Sequence, residues 1–343
     1  MRGETLPRRV AVPLHVSQRS TTPRAGASLH VLNGQTMGTR WSVKLAVAPG
    51  ASIDGLRSAI ERSLDGIIAE MSTFEPDSAI CRFNRAPAGT WHRLPKDFFF
   101  VLDYALKVAR DSDGAYDPTV GHLVGLWGFG ALGAERRVPC EEDIADVRAR
   151  CGWSIVALDR AQRSARQPGG LHLDLSSVAK GFAVDRVADT VASAGFSDFL
   201  VEIGGELRGH GVKPDGLPWW VALERAPPPA DGVATVSDIV VALNGLAVAT
   251  SGSAEHFFEA GGQRYAHTID PRSGKPVAHD LVSVSVLHAK CMHADALATA
   301  LMVLGPDDGM AHAMRLGLAA RFVSAGPEGV RERLTPRFAA MLA

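Results

Sequence analysis

Asp295 and Thr299 stand four residues apart in the segment Ala294-Asp295-Ala296-Leu297-Ala298-Thr299. A helix puts both on one face. Ala294, Leu297, Ala298, Leu301 and Met302 supply the adjoining apolar face. A carboxylate beside a hydroxyl, on an otherwise apolar helix, suits one edge of a Mg2+ site that substrate phosphates complete, because Mg2+ takes hard oxygen ligands. The spacing leaves open an exposed Asp that merely caps the helix, with the Thr bonded back to the backbone.

A second chemical segment is Asp174-Leu175-Ser176-Ser177-Val178-Ala179-Lys180-Gly181. A strand end feeds a helix that opens on hydroxyls. Free N–H groups and the helix dipole there suit an anion such as a phosphate. Lys180 adds positive charge in the first turn; ordinary capping by Ser176 or Ser177 remains the alternative. A third segment joins Ala249-Thr250-Ser251-Gly252-Ser253 to Tyr265-Ala266-His267-Thr268-Ile269-Asp270-Pro271. Its small residues and hydroxyls let a backbone approach a ligand. His267 is a candidate acid or base, since imidazole titrates near neutrality, or a structural loop histidine. Gly128 to Gly133 formally spells GxGxxG, but Gly125 interrupts the short apolar run before it and Arg136, Arg137 and Pro139 follow it. A dinucleotide fingerprint needs a strand before and a helix after. The only Gly-Lys pair, Gly274-Lys275, precedes Pro276, so there is no phosphate-binding loop of the Walker type.

The elements that must position these residues follow from apolar spacing. Residues 53–71 carry apolar side chains at steps of three and four and predict a helix, as do 97–110 and 141–151. Strands are expected at 29–32 and 41–46 around a polar turn, and at 155–158, 171–175, 199–203 and 281–286. The helix capped at Ser176 or Ser177 runs to about residue 194, with Gly195 placed to end it. Residues 219–224 and 236–243 read as a hairpin joined by a Pro-rich loop at 227–229, and 294–304 as a short apolar helix. Strands and helices intersperse without regular alternation, so the expected class is α+β.

Composition bounds the rest. Of 343 residues, 46% are apolar, enough for a sizeable core, and 36 basic residues face 37 acidic ones. That balance gives no reason to expect a nucleic-acid partner. Cys81, Cys140, Cys151 and Cys291 are scattered and form no CxxC pair, which argues against a disulfide framework or a zinc site. Residues 1–28 hold five arginines and one interrupted apolar stretch, and are expected to be a disordered tail ahead of one body at 29–343. Without a signal-peptide core, a lipobox-like Cys or any run of ~20 apolar residues, no membrane span and a cytoplasmic location are expected.

Taken in order, the motifs resemble those of the ApbE family, the FAD:protein FMN transferases. The matching pieces are Met37-Gly38-Thr39, Met71 to Ser78 with Phe83-Asn84, Tyr116 to Gly121, Leu126 to Gly130, and Asp174 to Gly181. They continue with Val201 to Gly205, Ala249 to Gly252, His267 to Pro271 with Gly274, and Ala294 to Thr299. They span about residues 33–305. The resemblance implies an α+β fold of two lobes with FAD in the cleft between them. It implies that Met37, Phe74, Ala115, Tyr116, Asp117, Asp174, Lys180 and the loop from His267 to Ile269 contact FAD. It assigns Mg2+ to Ser177, Asp295 and Thr299, and makes His267 the group that activates the acceptor hydroxyl. Phe74 replaces a Tyr common in the family, and Ser253-Ala254 replaces an acidic and aromatic pairing.

The implied reaction is Mg2+-dependent transfer of FMN from FAD to a Thr or Ser hydroxyl, releasing AMP. The implied partner is an acceptor flavoprotein subunit with a short flavinylation motif; a homodimer is left open. Hydrolysis of FAD to FMN and AMP would use the same residues. Mere flavin storage would need no metal at the diphosphate, and Asp295 and Thr299 argue against it.

Overall fold

Along the strands Phe199–Ile203, Leu246–Gly252, Leu281–His288 and Ala319–Gly326, successive side chains enter different cores. Val201, Ile203, Ala247, Ala249, Val284, Val286, Ala320 and Phe322 face one core. Leu200, Val248, Leu287 and Ala319 face another. A strand directs alternate residues to opposite faces, so a sheet covered on both sides reads as a continuous apolar run. The computed structural model describes residues 8–15, 22–133, 135–224, 236–253, 256–326 and 329–342. In it these strands belong to an eight-stranded sheet with Ser28–Thr36, Thr39–Val47, Glu206–His210 and Gly329–Leu334. The strands cross the sheet in chain order, each antiparallel to the next. Helices and loops are inserted into this meander.

One face carries the helices Leu56–Met71, Lys96–Asp111, Ser176–Ser193 and Cys291–Arg315, which close the larger core. The other face carries a three-stranded sheet, in the order Arg9–Ala11, Ile239–Leu243, Trp219–Ala222, packed with Phe338. A third apolar cluster, Leu123, Trp127, Phe129, Ile144, Phe258 and Ile269, forms a separate small lobe. The mixed architecture agrees with the expected α+β class.

Several boundaries differ from those that apolar spacing predicts. The first long helix begins at Leu56 because Gly55, at φ 74°, closes its N-terminus. The helix after Glu141 stops at Arg148. Residues 171–175 form no strand beyond a single bridge from His172 to Val120, although Leu171, Leu173 and Leu175 are fully buried. The helix expected at 294–304 extends from Cys291 to Arg315, broken at Gly305, whose φ of 83° no helix contains; Pro306 starts the second part. The turn between the first two sheet strands is Met37-Gly38, both at positive φ, which matches the twist of a tight hairpin. Gly128 and Gly130 also have positive φ and follow the short helix Gly121–Leu126, not a strand, so no dinucleotide fingerprint is present.

The N-terminal expectation needs a correction. Arg9–Ala11 is a strand parallel to Ile239–Leu243, Ala11 is fully buried, and Arg9 pairs with Glu332. A three-residue strand surrounded by arginines and prolines has no period to reveal it. Residues 1–7 and 16–21, the Pro-rich 227–229 loop and Ala254 lie outside the described residues. All four cysteines are free thiols.

Candidate active site

A cleft of about 810 Å³ opens between the small lobe and the sheet-and-helix body. Ala115, Tyr116, Asp117, Asp174, Ser177, Lys180, His267, Ile269, Asp295 and Thr299 all line it. Met37 and Phe74 do not. Met37 sits in the hairpin turn, partly packed on the main core, and Phe74 is 67% exposed on its loop.

The floor is built where two helices meet. Gly181 N–H donates to Asp295 Oδ2 at 2.8 Å. A Cβ at Gly181 would lie 2.5 Å from the Cys291 carbonyl oxygen and 2.7 Å from Asp295 Cβ, so only glycine lets the helices approach this closely. Asp295 Oδ1 has no hydrogen bond among the described residues. Four residues on, Thr299 Oγ1 lies 3.1 Å from Ser251 Oγ, whose strand flanks the helix. Ser177 Oγ donates to Tyr116 Oη at 3.0 Å. Carboxylate and hydroxyl oxygens thus collect on one side of the cleft.

A second part of the cleft lining is the start of helix Ser176–Ser193. Its cap position is Leu175, whose side chain cannot accept a hydrogen bond, so neither serine caps it. Asp174 Oδ1 accepts from Ser176 N–H at 2.8 Å and fixes the entry turn. The positive end of the helix and Lys180 therefore face the cleft together. Lys180 Nζ donates to Glu206 Oε1 at 2.7 Å. Glu206 is 3% exposed, and its Oε2 is buried without a partner.

Charge is unbalanced here. Burial, then the nearby Glu206, push the Asp295 carboxyl up to about 8, while Lys180 and the Gly181 N–H oppose the shift. Burial and the lysine act against each other on Glu206, with burial prevailing. Burial depresses Lys180, but Glu206 and Asp295 more than offset it and hold the ammonium charged. One lysine thus serves two buried carboxyls.

His267 enters from the other wall. Its Nδ1 lies 3.1 Å from the carbonyl oxygen of His256. A carbonyl only accepts, so Nδ1 carries the proton and Nε2 keeps its lone pair. Burial lowers the His267 pKa; the charge fields of His256 and Lys180 act in the same direction against the His256 hydrogen bond. Asp117 turns inward to its own loop instead. It accepts from Thr119 N–H and Oγ1 at 2.8 and 2.7 Å and from Trp153 N–H at 2.9 Å. These bonds shape the loop that bears Tyr116. Sequence reasoning assigned no role to Glu206, and placed Ser251 in a ligand-approaching segment without pairing it to Thr299. Their signal lay in the adjoining Gly204-Gly205 and Thr250, but only the fold brings them to Lys180 and Thr299.

Residues 37–322 match the ApbE family. The FAD:protein FMN transferase of Vibrio cholerae is 37% identical over 308 residues, covering 90% of this chain and 91% of that protein. The Escherichia coli K12 protein of the same description is 35% identical, with 91% and 89% covered. Among solved structures, the apo flavinyl transferase ApbE of Pseudomonas stutzeri superposes with a TM-score of 0.84 at 38% identity, covering 92% and 97%. The ApbE protein of Thermotoga maritima gives 0.79 at 28% identity, covering 92% and 99%.

Proposed function

The chain belongs to the ApbE family and is an FAD:protein FMN transferase, and we propose that the cleft between Lys180, Asp295 and His267 is where it cuts FAD and labels its acceptor. The observation that carries this is the junction of the two helices at Gly181 and Asp295. It sets an uncapped, positive helix start beside a buried carboxylate and a hydroxyl.

FAD joins riboflavin to adenosine through a diphosphate. The start of helix Ser176–Ser193, where Ser177 N–H is left to donate once Ser176 N–H is held by Asp174, and the Lys180 ammonium hold that diphosphate by charge and N–H donation. Asp295 and Thr299, with Ser177, form an oxygen donor set that fits Mg2+. The fit rests on chemistry and charge: all three donors are hard oxygens, and the two buried carboxyls share a single lysine. A bound Mg2+ would neutralise phosphate charge and polarise phosphorus.

The acceptor's Thr or Ser hydroxyl attacks the phosphorus on the riboflavin side. A new O–P bond forms, the bond from that phosphorus to the bridging oxygen breaks, and AMP leaves with that oxygen. The hydroxyl proton passes to Nε2 of His267, whose depressed pKa keeps it unprotonated at neutral pH. Positioning and electrostatics supply most of the rate, as in other phosphoryl transfers. The test is incubation with FAD, Mg2+ and an acceptor flavoprotein subunit, followed by denaturing electrophoresis. A fluorescent acceptor band that disappears with EDTA supports the proposal; equal labelling with and without EDTA refutes the metal assignment.

A further inference from the structure

The cleft has one wall to which the proposed chemistry gives no role. Trp219–Ala222 is the end strand of the three-stranded sheet, with Ile239–Leu243 at its inner side. Leu223 N–H donates to the Ile239 carbonyl at 2.9 Å. Successive residues of an antiparallel strand send their backbone groups to opposite sides. Val221 therefore shares the inner side with Leu223, and Trp220 and Ala222 direct their N–H and C=O groups outward. Among the described residues no other strand pairs with that outer edge.

The outer edge faces the cleft. Trp220, Val221, Ala222 and Leu223 line it consecutively. Neighbouring side chains of a strand point to opposite faces, so the consecutive lining residues Trp220, Val221 and Ala222 fit a cavity that meets the strand at its edge. Trp219 and Leu223 anchor the strand in the second core, while Trp220 and Ala222 are exposed. The strand thus presents backbone groups unpaired among the described residues, and an exposed indole, to the space that holds Lys180, Asp295 and His267.

We propose that this edge receives an extended segment of the acceptor protein as an added strand, with the target hydroxyl turned into the cleft. The inference rests on the transferase reading above, which requires a protein hydroxyl to reach the diphosphate. Main-chain pairing fits that need, because it fixes direction and register while asking little of the acceptor's side chains. Two outward-facing residues give a short edge, suited to an encounter that must end once FMN is attached.

The experiment has two arms. Ala222→Pro removes one outward N–H and leaves the inward bonds of Val221 and Leu223 in place. Transfer is measured against acceptor concentration at saturating FAD, and FAD binding is titrated separately. The proposal predicts a rise of roughly 3- to 10-fold in the acceptor KM, the worth of one hydrogen bond, with the FAD Kd unchanged. The second arm keeps the wild-type enzyme and uses synthetic peptides spanning the flavinylated Thr or Ser of the acceptor, each N-methylated at one backbone amide. Transfer should fall at every second position only. An unchanged acceptor KM, a raised FAD Kd, or a methylation pattern without a period of two would overturn the proposal. Should the proline variant misfold, the peptide series decides alone. A wild-type enzyme that binds FAD but labels no acceptor would overturn the transferase reading, and this inference with it.

Discussion

At the scale of single residues, the proposed mechanism divides the chemistry between His267 and Asp295. With Nδ1 committed to the His256 carbonyl, only Nε2 of His267 can take a proton. The neutral ring is the active form, so the rate should rise with pH as the ring deprotonates. Because burial lowers its pKa from the ordinary 6.5, the midpoint of that rise should lie below that pH. His267→Gln should slow single-turnover transfer at saturating FAD by ~10²–10⁴-fold and abolish that pH step. A variant that loses FAD affinity but keeps the saturated rate would assign the ring to nucleotide binding. Asp295→Asn keeps the shape and the bond from Gly181 N–H but removes the ionisable oxygen that the proposed metal site needs. It should fold normally, bind FAD weakly in the presence of Mg2+, and show no Mg2+-dependent turnover. A folded Asp295→Asn protein with full activity would contradict the metal assignment. Type and spacing marked these two residues as candidates, with a capping Asp and a structural loop His as alternatives, and the family resemblance gave them their roles. Glu206 was not so marked, since a glutamate after two glycines has no distinguishing neighbour until Lys180 is folded against it.

Among the elements, the contact between helices Ser176–Ser193 and Cys291–Arg315 decides whether a site exists. Gly181→Ala would place a methyl within 2.5 Å of the Cys291 carbonyl and against Asp295. Both are backbone or near-backbone atoms, so the helices must separate. Overpacking of this kind costs about 1–3 kcal/mol. Thermal denaturation should register that loss, and transfer should drop further than stability does, because in the proposed mechanism the displaced Asp295 serves the reaction directly. Wild-type activity and Tm in Gly181→Ala would show that the junction yields without consequence. Helix periodicity predicted most of the helices but stopped the last at 304. Gly305-Pro306 reads as a terminator, and here it ends one segment and begins another that continues along the same core. Residues 171–175 alternate like a strand, yet tertiary burial of Leu171, Leu173 and Leu175 accounts for the pattern with no ladder beyond the single His172–Val120 bridge.

For the whole molecule, two sheets and a small lobe enclose the cleft, and the N-terminus helps to hold them. Ala11 fills the second core, Arg9 pairs with Glu332 beside Arg321, and the strand they form supports Ile239–Leu243, which in turn supports the cleft wall at Trp219–Ala222. Removing residues 1–27 should therefore lower Tm by a few degrees or more and weaken transfer; an unchanged Tm would show that the strand contributes nothing. The long-range pairing of Arg9–Ala11 with a strand about 230 residues later carries no local signature, which is why the sequence suggested only a tail. The same holds for the cleft itself, whose walls come from segments spread between residues 44 and 299. The central claim, that one cleft both cleaves FAD and hands FMN to a protein hydroxyl, is tested most directly by stoichiometry. Enzyme, FAD, Mg2+ and acceptor are mixed, AMP is quantified by chromatography, and the acceptor's mass is followed in the same samples. The account predicts AMP and FMN-labelled acceptor in equal amounts at every time, and neither with Asp295→Asn. AMP and free FMN accumulating while the acceptor mass stays unchanged would contradict it.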